Sequence, residues 1–119
     1  MTSFVILLTQ SPFNGQAFQS ALRFASSSVA MGHCIDHIFL YQDAVLAASD
    51  AIDLPADEPD ASRLLAQFCL QHQIPLLFCS TAAEKRGLSL QSEQLRPGYQ
   101  LAGLAEHAMR LANHRLVQL

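Results

Sequence analysis

IPLLFCSTAAEKRG, residues 74–87, is a short apolar run that ends in a cysteine and passes at once into small residues, a basic pair and a glycine. An apolar run of this length fits a strand covered on both faces, and Ser80–Arg86 followed by Gly87 fits a short helix with its stop. A strand delivered straight into a helix belongs to an alternating strand–helix chain, and the same alternation extends outward in both directions.

Upstream, ASRLLAQFCLQHQ (61–73) is amphipathic, with Leu64, Leu65, Phe68 and Cys69 predicted to face inward and Asp60 predicted to cap its start. DAIDLPADEPD (50–60) holds two prolines and five acids and reads as a solvated loop. CIDHIFLYQ (34–42) reads as a strand and DAVLAAS (43–49) as a short helix begun by Asp43. QAFQSALRFASSSVAMG (16–32) sets Phe18, Ala21, Leu22, Ala25 and Val29 on one helical stripe and stops at Gly32. SPFNG (11–15) is a turn, and SFVILLT (3–9) a first, buried strand. Downstream come a mixed connector (88–100), a helix over LAGLAEHAMRLAN (101–113) and a last strand in HRLVQL (114–119).

This order predicts one α/β domain, residues 1–119: a three-layer α/β/α sandwich of flavodoxin-like type around a mainly parallel sheet. Such a sheet places function in the crevice beyond the carboxyl ends of its strands. Three segments are predicted to meet there: SPFNG, Gln42–Asp43 and Cys79–Ser80–Thr81.

Bulk composition narrows the function. Half of the 119 residues are hydrophobic and only 14% are charged, against a usual share of about 25%, which predicts burial against other subunits. With 7 basic residues, scattered, and a net charge of −3, a direct nucleic-acid footprint is not expected. No run approaches the roughly 18 to 20 apolar residues of a membrane span. MTSFVILLTQ lacks a positive n-region and a small-residue cleavage site, so it reads as a strand, not a signal peptide. The three cysteines form no CxxC pair and no disulfide framework. The expectation is a cytoplasmic protein with free thiols.

Each thiol is first a candidate for packing, because cysteine is among the most buried residue types. Cys69 sits mid-helix on the apolar stripe, and Cys34 opens a strand at the edge of the sheet opposite the crevice; packing is the expectation for both. Cys79 differs. It closes a strand where a helix begins, beside N–H groups that have no partner within the helix. Such groups favour an anion by about 0.3 to 1 kcal/mol, and nearby cations promote a thiolate. Lys85 and Arg86 are placed to add to that field.

Other constellations carry less. In HCIDH (33–37), strict alternation points His33, Ile35 and His37 one way and Cys34 and Asp36 the other, so four metal ligands do not converge. His107 and His114 are expected in surface or interface packing. SPFNG lacks the glycines of a dinucleotide fingerprint. Asp57, Glu58 and Asp60 read as solvated loop, with steering of a basic partner as the functional alternative.

FVILLTQSPFNGQ (4–16), MGHCIDHIFLYQDAV (31–45), CSTAAEKRG (79–87) and GYQLAGLAEHAMRLANHRLVQL (98–119), in this order, resemble the DsrE-type sulfur-transfer family, its TusD branch above all. The resemblance spans nearly the whole chain; the stretch between Ala48 and Asp60 carries no family motif. It implies that Cys79 carries sulfane sulfur as a persulfide; the strand–helix junction adds the amides of Ser80 and Thr81 as donors to the persulfide anion and Lys85 and Arg86 as electrostatic support. The resemblance implies a TusA-like donor, a TusE/DsrC-like acceptor, and assembly with TusC- and TusB-like subunits as a dimer of heterotrimers, or a homo-oligomer when isolated. The end product it implies is 2-thiouridine at the tRNA wobble position, or, in the Dsr branch, sulfur oxidation. Neither metal nor organic cofactor is called for. A non-catalytic scaffold subunit is the alternative within the family; a small-molecule-binding flavodoxin-like domain is the alternative outside it.

Overall fold

Strands and helices alternate along the chain in the computed structural model, which describes residues 2–13, 16–52, 60–88, 90–91 and 94–119. β1 (Ser3–Leu8), α1 (Ala17–Ala30), β2 (Cys34–Leu40), α2 (Ala61–His72), β3 (Leu76–Cys79) and α3 (Ser80–Lys85) lie where the sequence pattern puts them. A 3₁₀ helix (Gln42–Ala48) follows β2. The last third departs from expectation. β4 (Tyr99–Ala102) pairs with β3, which confines the following helix, α4, to Leu104–Met109 before β5 (Arg115–Gln118).

All five strands are parallel, in the order β4-β3-β2-β1-β5. Each step from β1 to β4 moves the same way, and right-handed crossovers put α1 and α2 together on one face. The return from β4 to β5 carries α4 across the opposite face. Contacts agree with both placements: the Tyr99 hydroxyl donates to the Ser62 carbonyl in α2, while the His107 ring of α4 stacks on Phe39. The layering is flavodoxin-like, although flavodoxin itself orders its strands β2-β1-β3-β4-β5.

Burial follows the periodicities. α1 buries Ala17, Phe18, Ala21, Ala25 and Ser28, and α2 buries Ser62, Leu65, Ala66 and Cys69. Leu64, expected inward, is exposed: the buried stripe of α2 runs through Leu65, and Leu64 falls one step outside it. Asp60 does cap α2, accepting from the Arg63 N–H at 3.1 Å. Gly32 and Gly87 end α1 and α3 with left-handed backbones (φ 84° and 77°), each followed by a closing bond, His33 N–H to Ser28 O and Leu88 N–H to Ala83 O. Asn14 and Gly15 of the expected turn, and Asp57 and Glu58 of the expected loop, lie outside the described residues.

The alternation predicted for HCIDH is broken. Phe4 pairs with Ile35 but Val5 with His37, so Asp36 is an extra residue, a bulge, in β2. The insertion turns His37 to the face opposite Ile35. Ile35, in register with Phe4, whose ring meets Phe24 of α1, lies on the α1 side; His37, fully buried, meets α4.

Candidate functional site

β3 is buried throughout, and its last residue, Cys79, is also the N-cap of α3, with an extended backbone (φ −69°, ψ 119°). No loop residue intervenes. The strand therefore delivers Cys79 directly to the carboxyl edge of the sheet, beside the first-turn amides of a six-residue helix. Register places Cys79 next to Ala102 of β4 and on the same face as Leu77.

There the thiol lines a cleft of about 370 Å³. Tyr41 and Gln42 form the side following β2; Thr81, Ala82, Lys85 and Arg86 come from α3 and its C-cap, and Leu104 from the first turn of α4. Two of the three segments expected at this edge thus converge. Of the turn after β1, none of residues 11–13 reaches the cleft. Leu104 was not foreseen, because its place depends on β4 pairing with β3 and so starting α4 beside Cys79.

Cys79 is only 3% exposed in the single chain. The sulfur is recessed at the cleft floor, so a reacting group must enter the cleft to reach it. Thr81 is exposed and lines the cleft, whereas Ser80 is half-buried and does not. Lys85 and Arg86 both border the cleft. Arg86 is held in place: its Nε donates to Asp43 Oδ1 at 2.9 Å and its Nη1 to the Ala82 carbonyl at 3.1 Å. Asp43 offsets part of the Arg86 charge, leaving the exposed Lys85 ammonium as the less constrained cation. Gln42 has a left-handed backbone (φ 51°), uncommon for a residue with a Cβ, where the chain swings from β2 into the 3₁₀ helix at the rim.

The other thiols have different surroundings. Cys69 is buried in α2, and burial pushes its thiol up to about 12. Cys34 stands at the amino edge of the sheet, as expected, but is exposed rather than packed. Among the described residues no group of histidines, cysteines and carboxylates is arranged to hold a metal ion, and no helix is long and apolar enough to cross a membrane.

His107 corrects the expectation of surface packing. It is buried, stacked on Phe39 with ring centroids 4.3 Å apart, and joined to His37 at 2.9 Å. His114 is partly buried, 2.6 Å from the Ser3 hydroxyl. Nothing in the spacing of these histidines signalled their meeting, which follows from the bulge at Asp36 and from the path of α4.

The chain is similar over nearly its full length to known proteins. Residues 2–119 match the model of the DsrE/DsrF-like family. Sulfurtransferase TusD of Pectobacterium atrosepticum is 34% identical over 128 aligned positions, covering 99% of each chain. A Sulfurtransferase TusD homolog of Aliivibrio fischeri is 38% identical over 117 positions, covering 89% of each. Among solved structures, the ychN protein of E. coli superposes with a TM-score of 0.84 at 22% identity, covering all of both chains. A protein of unknown function from Methanobacterium thermoautotrophicum, MTH1491, gives 0.74 at 10% identity, again over all of both. With the fold, the coverage and the family match in agreement, this chain belongs to the DsrE/DsrF-like family.

Proposed function

We propose that this protein is a sulfurtransferase acting as a relay, accepting sulfane sulfur on Cys79 and handing it to an acceptor thiol. The observation that carries the reading is the placement of Cys79: a thiol at the end of a central parallel strand, on the floor of a cleft bordered by two cations. Relatives named Sulfurtransferase TusD, matched over nearly the whole chain, support the same reading.

The chemistry is thiol exchange. The Cys79 thiolate attacks the outer sulfur of a donor persulfide; a new S–S bond forms on Cys79, the donor's S–S bond breaks, and the donor sulfur leaves as a thiolate. Electrons balance within the exchange, so no redox cofactor takes part. In the second step an acceptor thiolate attacks the outer sulfur of the Cys79 persulfide, and the Cys79 thiolate is the leaving group.

Each neighbour has a part. The Cys79 side chain makes no cap hydrogen bond as it stands. In this reading the first-turn amides of Ser80 and Thr81 bind the sulfur once it is anionic, Thr81 and Ala82 leave room for a second sulfur atom, and Lys85 and Arg86 supply positive field. The lining described holds no histidine or carboxylate to act as a base, so anion binding rather than proton removal is the site's contribution. A TusA-like donor and a TusE/DsrC-like acceptor fit this role, within an assembly with TusC- and TusB-like subunits. The destination is 2-thiouridine at the tRNA wobble position, reached without direct contact with tRNA, consistent with the net charge of −3. These steps belong in the cytoplasm.

The test is loading. The protein is incubated with a cysteine desulfurase, cysteine and a TusA-like donor, then digested and weighed by mass spectrometry. One sulfur added to the Cys79 peptide, and none in Cys79→Ser, is the expected result. Sulfur confined to Cys34 or Cys69, or loading unchanged in Cys79→Ser, overturns the proposal.

A further inference from the structure

α4 buries one side chain, His107; Leu104, Ala105, Glu106, Ala108 and Met109 are all exposed. A six-residue helix with a single buried residue has almost no apolar area of its own to hold it on the sheet. Its attachment therefore falls on what His107 does. The ring lies flat on Phe39, with a 9° interplanar angle, and Phe39 is stacked in turn on Tyr41, which lines the thiol cleft. The edge of the ring meets His37 at 2.9 Å. One turn before His107, Leu104 forms the cleft wall near Cys79.

The hydrogen bonds are ordered by Asp36. A carboxylate only accepts, so His37 donates from Nδ1 to Asp36 Oδ2 at 2.7 Å. Neutral His37 then has a bare Nε2, and His107 must donate to it from Nδ1. Every element packed here adds to the balance. Asp36, on β2, also accepts from Arg110 Nε at 3.3 Å, just past the end of α4, and faces His114 Nε2 at 3.5 Å, ahead of β5. β1 adds the neutral Ser3 hydroxyl, and Glu106 of α4 is exposed. Among the described residues Asp36 is the carboxylate at the pair, and it already answers a permanent guanidinium charge. A proton taken up by the histidine pair meets no further counter-charge among the described residues, and a second would set N–H against N–H across the bond.

We infer that His107 is a positioning residue for the thiol cleft: its bond to His37 and its stack on Phe39 seat α4 and hold Leu104 beside Cys79, and acid unseats that wall. The inference rests on the reading of Cys79 as the sulfur carrier. Burial holds both His37 and His107 below the ordinary histidine range, the direction expected if seating requires them neutral. Recessed as it is, Cys79 becomes more accessible when the wall withdraws.

The test uses the full chain, following amide hydrogen exchange of residues 104–109 relative to α1, which contains no histidine or carboxylate, together with peptide-resolved labelling of Cys79 by 2,2′-dithiodipyridine, which reacts in acid. In the wild type, α4 exchange corrected for intrinsic rates should rise about tenfold relative to α1 between about pH 7.5 and about pH 5, with Cys79 labelling per thiolate rising alongside. His107→Asn keeps a donor near the Nδ1 position without a titrating ring; α4 should stay seated at neutral pH and lose most of the acid response. His107→Ala should leave α4 open at both pH values. A flat wild-type ratio, a full acid response in His107→Asn, unchanged α4 protection in His107→Ala, or Cys79 labelling that ignores α4 each overturns the inference. Should α4 respond as described while Cys79 takes up no sulfur, the fault lies with the relay and not with the seating.

Discussion

Arg86 and Asp43 meet at the side of the thiol cleft, Nε to Oδ1 at 2.9 Å, joining α3 to the 3₁₀ helix that follows β2. The pair is largely open to water, with side chains 28% and 62% exposed, so it adds less than about 1 kcal/mol to stability. Its consequence is local field. Asp43→Asn should raise the rate at which Cys79 reacts with a dianionic aromatic disulfide by about twofold to fivefold, and Arg86→Gln should lower it similarly, both effects shrinking as salt screens the charges. Stopped-flow absorbance on Cys34→Ser variants measures this without interference from the exposed thiol.

A second pair is structural. Arg96 donates to Asp60 Oδ2 at 2.7 Å and to the Ser62 hydroxyl at 2.8 Å, with the Arg96 side chain 12% exposed. Asp60→Ala removes the cap of α2 and strands this guanidinium, which should cost about 2 to 4 kcal/mol in urea unfolding. Burial pulls the Asp60 carboxyl upward, but bonds from Arg96, Ser62 and the Arg63 amide outweigh it and hold it below the usual carboxylate range. A depressed carboxyl stabilises the fold above its unfolded value, and that stability is lost as pH falls. The loss should begin below about pH 4 and be smaller in Asp60→Asn.

The three thiols should separate by environment. Exposed Cys34 should be modified first by a neutral alkylating reagent, and recessed Cys79 more slowly. Cys69, buried and with its thiol pushed up to about 12, should react only when the chain unfolds. Its labelling rate should follow urea concentration, and peptide mapping of a timed reaction checks the order.

Stability should also fall in mild acid. Burial holds His37 and His107 below the ordinary histidine range in the fold, while in the unfolded chain they take up protons near pH 6.5. The unfolded state therefore binds more protons as pH drops. The stability contributed by the pair is full above about 6.5 and declines as pH falls toward about 5. Urea midpoints across this range measure the decline, and His107→Asn should reduce it.

Much of this was legible in the chain. Apolar runs in SFVILLT and IPLLFC, stripes in residues 16–32 and 61–73, and stops at Gly32 and Gly87 mark elements whose local pattern and tertiary burial agree. The position of Cys79 at a strand–helix junction followed from the same logic. β4 was not legible. Tyr99–Ala102 is four residues long with only its ends buried, and it is a strand because β3 offers an edge, not because YQLA has a strand's period. Reading Tyr99 and Gln100 into the connector and Leu101 and Ala102 into a longer helix displaced the start of α4, and with it Leu104 from the cleft. Asp36 was missed for a related reason: alternation assumes an unbroken ladder, and one inserted residue reverses every later side chain. The meeting of His37 and His107 hangs on both.

The most direct measurement is a chase. Protein loaded with radiolabelled sulfur and freed of donor is mixed with a TusE/DsrC-like acceptor, and label is followed on both partners by non-reducing electrophoresis and peptide mapping. Label should leave the Cys79 peptide and appear on an acceptor cysteine in equal amount, with no transfer from Cys79→Ser. Label that stays on Cys79, or an acceptor labelled equally well through Cys79→Ser, would contradict the account.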